Sequence, residues 1–236
     1  DLNFTLGRGE KIGLVGRNGA GKSTLLKLLL QEESPDEGNI TIPSRYRVAT
    51  LKQHLKFTES TILQEACLAL PDDQKFDSFR AEKILMGLGF GLADFSRAPA
   101  EFSGGMQIRL NLAKVLLQDP DCLFLDEPTN YLDLEGTLWL IDYLAKYPAT
   151  IVVISHDRDM LDDVADHILH LDQGKLTLWK GNYTSFEKQR REQIAIRMKH
   201  IKKQEAHREH LQSFVDRFRA KATKARQAQS RLRMLE

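Results

Sequence analysis

A phosphate-binding loop provides the clearest chemistry in this chain. The pattern Gly-x-x-x-x-Gly-Lys-Ser runs from Gly16 to Ser23, between one apolar stretch at residues 12–15 and another at residues 25–30. Glycines let backbone N–H groups point at an anion, and the N-terminus of the following helix adds its positive dipole end. The lysine can bridge the outer phosphates of a nucleotide, and the serine can ligate Mg²⁺. The predicted phosphate-binding residues are Gly16, Asn18, Gly19, Ala20, Gly21, Lys22, Ser23 and Thr24.

Two adjacent carboxylates supply the second part of this chemistry. Asp126 and Glu127 directly follow the all-apolar run at residues 122–125, which is typical of a buried parallel strand. We expect Asp126 to hold Mg²⁺ through its water shell and Glu127 to polarise the water that attacks a γ-phosphate. Without the phosphate-binding loop, the same pair would indicate only a solvated turn.

Three further positions gain their meaning from their place in this order. Ser103, Gly104 and Gly105 precede the helix predicted over residues 106–118, whose N-terminus can bind an anion. His156 follows the β-branched run at residues 151–154 and can donate to a γ-phosphate or orient Glu127. Gln53 follows the strand predicted at residues 47–51 and is a candidate ligand of Mg²⁺ and water.

The elements that must position these side chains are short buried strands alternating with helices. This alternation predicts an α/β protein with a doubly wound, mostly parallel sheet, in which the carboxyl ends of the strands share one edge. Helical patterns at residues 62–70 and 79–88 indicate a helical subdomain at about residues 54–118.

The order of these motifs over residues 1 to about 180 resembles the ATP-binding cassette (ABC) ATPase domain. The resemblance implies a mostly parallel core sheet with an antiparallel β-part, and it implies ATP and Mg²⁺ as ligands. Catalysis would fall to Glu127, His156 and Gln53, and the metal would be held by Ser23, Gln53 and, through water, Asp126. The signature at residues 103–105 would serve the nucleotide of a second cassette, and Asp133 would mark the D-loop.

Within that superfamily, two segments resemble the ABC-F subfamily. They are Glu127-Pro-Thr-Asn-Tyr-Leu-Asp133 and Ser155-His-Asp-Arg158. The usual wording of the first is Pro-Thr-Asn-His-Leu-Asp, so Tyr131 is a departure, although Asn130 and Leu132 are kept. The signature reads Ser-Gly-Gly-Met-Gln, where transporters commonly have Ser-Gly-Gly-Gln.

The net charge of +1 conceals an uneven distribution along the chain. Residues 185–236 hold 15 Lys and Arg against 6 Asp and Glu, while the remainder holds 19 against 27. This tail has neither Gly nor Pro and is rich in helix formers, with apolar residues at helical spacing, which predicts a long antiparallel helical hairpin over residues 183–236. A surplus of one sign favours contact with phosphate backbones, although a solvated coiled coil is the alternative.

The end of the tail resembles the interdomain linker of bacterial ABC-F proteins. The candidate RNA-binding residues are Arg217, Arg219, Lys221, Lys224 and Arg226. In that family, the linker reaches toward the peptidyl-transferase centre and the P-site tRNA while the cassettes occupy the ribosomal E site. The resemblance therefore implies a cytoplasmic, ribosome-binding ATPase, with 23S rRNA and P-site tRNA as partners.

The predicted organisation is a cassette at residues 1–182 and a truncated linker at residues 183–236. We expect a second cassette beyond the C-terminus, or a homodimer of this fragment, and an adenine-stacking residue upstream of residue 1. No apolar run is long enough to cross a bilayer. The basic tail argues against a membrane partner, so none is expected. The ATPase of a membrane transporter and a DNA-associated ABC ATPase stay open as alternatives.

Overall fold

A six-stranded sheet forms the centre of the cassette. The structure, a computed structural model, describes residues 2–51, 56–75 and 77–218, and for residues 214–218 it describes only the backbone. The described strands are β1 (Lys11–Gly16), β2 (Val48–Thr50), β3 (Cys122–Asp126), β4 (Thr150–Ile154), β5 (His167–Asp172) and β6 (Lys175–Lys180).

The sheet is mostly parallel, as the sequence predicts. Its strand order is β2-β3-β4-β1-β5-β6, and only the hairpin of β5 and β6 is antiparallel. All five residues of β4 are buried, because a strand in the middle of such a sheet is covered on both faces. The strand order places β4 between β1 and β3, so the phosphate-binding loop and the carboxylate pair follow strands that are separated by one strand.

Seven α-helices lie in the described part of the chain. They are α1 (Lys22–Leu29), α2 (Ile62–Cys67), α3 (Ser78–Gly87), α4 (Gly104–Leu117), α5 (Leu134–Ala145), α6 (Arg158–Val164) and α7 (Tyr183–Phe218). The helices α2, α3 and α4 pack against one another through buried side chains such as Ile62, Leu85 and Leu116. These three helices form the helical part of the cassette, and α4 begins directly after Ser103. The predicted bounds of a helical subdomain stay a prediction.

A buried ion pair joins α2 to α4 in this helical part. The carboxylate of Glu65 is 1% exposed, accepts a hydrogen bond from the ammonium of Lys114, and accepts two more from the backbone N–H groups of Thr58 and Glu59, each at 2.8 Å. Burial alone would raise the pKa of Glu65, but the contacts with Lys114 and with these N–H groups together lower it.

Replacement of Lys114 by Met is therefore expected to destabilise the cassette. The change leaves the Glu65 carboxylate buried without its cation, at a cost of about 3 kcal/mol in the free energy of unfolding. Because the folded pKa of Glu65 lies below its unfolded value, the contribution of the pair is present above pH of about 4.3 and is lost as the pH falls further.

Chemical denaturation of the wild type and the variant at pH 7 measures this difference. Lys146→Met is the control, since Lys146 pairs with Asp142 across an exposed turn of α5 and such pairs contribute little. Equal losses in the two variants would contradict a special role of the buried pair.

The chain divides into two compact units, Asp1–Phe186 and Glu187–Glu236. In the second unit the described residues belong to the single helix α7, which is 36 residues long and begins at Tyr183. The apolar side chains of Ile194, Met198 and Ile201 are exposed on this helix. The predicted second arm of the hairpin lies outside the described residues, so the hairpin stays a prediction. Among the described residues, no helix is long and apolar enough to span a membrane.

Candidate functional site

The phosphate-binding loop folds as its glycines predict. It connects β1 to α1, and Gly19 and Gly21 adopt left-handed φ angles of 77° and 100°. Left-handed backbone of this kind is readily accessible to glycine. Hydrogen bonds from the N–H of Ala20 to the carbonyl of Arg17, at 3.1 Å, and from Leu25 to Gly21, at 2.8 Å, close the loop onto the helix.

The side chain of the lysine in the loop is hydrogen-bonded to backbone carbonyls of the same loop. The Nζ of Lys22 donates to the carbonyl oxygen of Gly16 at 2.9 Å and to that of Arg17 at 3.2 Å. Within the described part of the chain, no side chain caps the N-terminus of α1. Uncapped N–H groups beside an ammonium form a suitable cradle for the phosphates of a nucleotide.

Close packing fixes the position of the loop on the sheet. A Cβ atom at Gly16 would lie 2.5 Å from the carbonyl oxygen of Leu171 on β5, so this position accepts only glycine without a shift of the backbone. The close approach holds the end of β1 directly against its neighbouring strand.

The carboxylate pair lies where the sequence predicts, at the carboxyl end of β3. Asp126 is in register with Ile154 of β4, and the N–H of Glu127 donates to the carbonyl of Ile154 at 2.8 Å. Glu127 has a φ angle of +47°, a conformation that costs a residue other than glycine about 1 kcal/mol or more. This left-handed residue directly follows the last residue of β3.

Glu127 and His156 are brought together by β3 and β4. The backbone N–H of His156 donates to Oε2 of Glu127 at 3.4 Å, and Nε2 of its imidazole lies 3.6 Å from Oε1. Oε1 is buried and has no hydrogen-bond partner among the described residues. A buried, unsatisfied carboxylate oxygen is costly, and it is the atom that could accept a proton from an attacking water.

Asp126 and Ser23 provide the oxygen donors that a magnesium ion prefers. The side chain of Asp126 is exposed, but partial desolvation by the surrounding protein raises the pKa of its carboxyl. The nearby ammonium of Lys22 offsets part of that rise. A carboxylate and a hydroxyl are hard ligands that suit Mg²⁺, so the residues present fit the metal. Gln53, the third predicted ligand, lies outside the described residues.

The signature segment lies at the N-terminus of α4, in the helical part of the cassette. The hydroxyl of Ser103 caps this helix by accepting a hydrogen bond from the N–H of Met106 at 3.4 Å. Gly104 and Gly105 have open space where a Cβ atom would stand. These three residues stay a predicted contact for a second nucleotide.

The predicted D-loop residue has a defined structural role. Asp133 caps α5, because its Oδ1 accepts a hydrogen bond from the N–H of Gly136 at 2.9 Å. That hydrogen bond, with a further contribution from the guanidinium of Arg109, lowers the pKa of the Asp133 carboxyl. Arg109 is not among the residues predicted from the sequence motifs. Its position six residues after Ser103 is only a weak indication of a functional role.

Of the predicted RNA-binding residues, only one lies within the described helix. Arg217 belongs to α7, and its side chain is not described. The other four, Arg219, Lys221, Lys224 and Arg226, lie outside the described residues.

Comparison with known proteins identifies the same family twice along the chain. A family model described as ABC transporter matches residues 1–130, and a second ABC transporter model, for an extension segment, matches residues 169–236. The "Probable ATP-binding protein YheS" of Escherichia coli K12 is 42% identical over 98% of this chain and 41% of its own length. The "ATP-binding cassette sub-family F member 3" of Rattus norvegicus is 36% identical over 100% of this chain and 38% of its own length.

Solved structures show the same fold. A structure titled as the ATP-binding subunit of an ABC transporter has a TM-score of 0.67 and 25% identity, covering 80% of this chain and 85% of its own. A dimeric ATP-binding cassette bound to ADP and phosphate has a TM-score of 0.61 and 23% identity, covering 76% of this chain and 89% of its own. The chain spans about two fifths of the length of the curated relatives it matches.

Proposed function

The chain belongs to the ABC-F subfamily of ATP-binding cassette proteins, and from this premise we propose that it is the ATP-hydrolysing cassette of a translation factor that binds ribosomes. The observation that supports hydrolysis most strongly is the convergence of Lys22, Asp126, Glu127 and His156 at the carboxyl ends of β1, β3 and β4. Such a convergence of a phosphate cradle, a metal-binding carboxylate and a base is what phosphoryl transfer to water requires.

Each residue has a distinct task in the proposed reaction. Lys22 and the N–H groups at the start of α1 bind the outer phosphates of ATP, and Ser23 and Asp126 would hold Mg²⁺. The ion, when bound, offsets the negative charge of the phosphates. Glu127 accepts the proton of the attacking water through Oε1, and His156 keeps the Glu127 carboxylate in place through its backbone N–H.

A second cassette completes the proposed site. The Ser103–Gly105 segment would contact the nucleotide of that cassette, and the solved dimer with ADP and phosphate shows that cassettes of this fold pair. The curated relatives are more than twice as long as this chain, which leaves room for a second cassette in the same protein.

The proposed output is ribosome binding through α7 and the basic residues that follow it. ATP binding would close the two cassettes and present the linker to 23S rRNA and P-site tRNA, and hydrolysis would release the factor. The support is the family and the charge surplus of residues 185–236.

A transporter ATPase is the alternative with a specific observation behind it, because both matching family models are described as ABC transporter. The sub-family F relatives favour the ribosome-binding function over transport, since they match nearly the whole chain at 36–42% identity. Binding to membrane vesicles and not to ribosomes would support the transporter ATPase instead. Salt-sensitive binding to duplex DNA and not to ribosomes would support the DNA-associated ATPase.

Neutralisation of Arg217, Arg219 and Lys221 by glutamine is expected to weaken ribosome binding by at least about tenfold at physiological salt. Each lost phosphate contact also lowers the magnitude of the slope of log K against log salt by about 0.7 to 0.9, so the loss of three contacts should lower it by about two to three. Co-sedimentation of the longer, two-cassette protein with ribosomes across a salt series measures both quantities.

The matched control replaces three exposed bases of the cassette, Arg45, Lys83 and Lys175, by glutamine. Both triple variants should keep the wild-type rate of ATP hydrolysis in the absence of ribosomes. Equal ribosome affinity in the wild type and the linker variant would contradict RNA binding by these residues and would favour the alternative of a solvated coiled coil.

A further inference from the structure

The guanidinium of Arg109 joins three segments of the cassette. Its Nε donates to the carbonyl of Tyr131 at 2.7 Å, and its Nη1 donates to the carbonyl of Leu88 at 3.2 Å and to Oδ2 of Asp133 at 3.0 Å. The side chain of Arg109 is only 12% exposed, although that of its partner Asp133 is 59% exposed, so the guanidinium is largely buried while the carboxylate faces solvent. Hydrogen bonds from a buried, planar guanidinium impose a fixed geometry, which a flexible lysine does not reproduce.

The neighbouring backbone leaves space for this side chain. Gly89 has a φ angle of +90°, and a Cβ atom at this position would lie 2.7 Å from Nη1 of Arg109. A left-handed glycine at the end of α3 therefore both turns the chain and makes room for the guanidinium.

Arg109 lies on the same helix as the signature. It is six residues after Ser103, which is about 9 Å along the axis of α4. Because α4 is one continuous helix capped by Ser103, a displacement of its N-terminus is passed to Arg109 with little loss.

The D-loop connects in turn to the catalytic carboxylate. The segment from Glu127 to Asp133 is held in turns by hydrogen bonds from the N–H of Asn130 to the carbonyl of Glu127, at 3.3 Å, and from Leu132 to Thr129, at 3.0 Å. Asp133 uses its other oxygen to cap α5, so Arg109 contacts a segment that is fixed at both ends.

We propose that Arg109 is a positioning residue that couples the signature at the start of α4 to Glu127 through the D-loop of the same cassette. The inference rests on the proposed function, in which the signature contacts the nucleotide of a second cassette. Engagement of that nucleotide pulls on α4, Arg109 moves the Tyr131–Asp133 segment with it, and Glu127 reaches its working position. One cassette thus senses its partner's ATP before it hydrolyses its own.

The test is Arg109→Lys in the longer, two-cassette protein. We expect kcat for ATP hydrolysis to fall by about tenfold, since small misplacements of catalytic groups have effects of this order, while KM for ATP stays within twofold. Asp133→Asn should lower kcat in the same way, because asparagine preserves the cap of α5 but loses the charge that faces Arg109.

Arg80→Lys is the matched control. Arg80 is a comparably buried arginine of the same helical part, at 24% exposure, and it pairs with Asp119 rather than with the D-loop. This variant should lose thermal stability as Arg109→Lys does but keep the wild-type kcat.

Hydrogen exchange separates the coupling from the activity. In Arg109→Lys the amides of Asn130 and Leu132 should exchange faster, and in Arg80→Lys they should exchange as in the wild type. Unchanged exchange, or a wild-type kcat in Arg109→Lys, would overturn the positioning role. A wild-type protein that does not hydrolyse ATP would instead overturn the proposed function, and the exchange rates alone would then decide the coupling.

Discussion

Replacement of Glu127 by Gln is expected to slow ATP hydrolysis by at least about 100-fold, because a general base contributes this much or more. Glutamine keeps the shape of the side chain but cannot accept a proton, so ATP binding should persist while turnover stops. The orphaned, buried Oε1 of Glu127 and its position beside His156 are the structural reasons for this expectation. Single-turnover hydrolysis of radiolabelled ATP by the two-cassette protein, with the corresponding residue of the second cassette also changed, measures the effect.

The control for this variant is Glu37→Gln, at an exposed position outside the site. It should hydrolyse ATP at the wild-type rate. Hydrolysis within about threefold of wild type in Glu127→Gln would show that another group activates the water, because a general base contributes at least about 100-fold.

Replacement of Lys22 by Met is expected to lower the affinity for ATP by about 10- to 100-fold. The loss corresponds to removal of one or more hydrogen bonds between an ammonium and the phosphates, each contributing about 1.5–3 kcal/mol. In the structure the same ammonium donates to the carbonyls of Gly16 and Arg17, so the variant should also loosen the loop. Titration with a fluorescent ATP analogue, at fixed Mg²⁺, measures the dissociation constant.

Lys27→Met provides the comparison on the same helix. Lys27 lies near the end of α1 and pairs with Glu33 at the surface, so its loss should leave ATP affinity unchanged. Identical affinities in the Lys22 and Lys27 variants would contradict the assignment of the phosphate-binding loop.

Motif chemistry and strand patterning predict most of the cassette. The glycines and Lys22 of the loop, the apolar run before Asp126 and the β-branched run before His156 each depend on local sequence, and each forms the element expected of it. The mostly parallel sheet with one antiparallel edge is also confirmed.

The parts that the sequence does not predict depend on contacts between distant segments. Nothing in the pattern of β3 shows that β4 separates it from β1, because strand order is set by packing of the whole sheet. The left-handed backbone of Glu127 is imposed by its neighbours against local preference. The contacts of Arg109 join residues 21 to 24 positions apart, so no local motif contains them.

ATP-dependent binding to ribosomes tests the central claim most directly. The two-cassette protein carrying Glu127→Gln and the equivalent change in its second cassette would be mixed with purified 70S ribosomes and sedimented with ATP, with ADP and without nucleotide. We predict co-sedimentation with ATP alone, since only ATP should hold the cassettes closed. Absence of ribosome binding while ATP remains bound to the protein would contradict the claim.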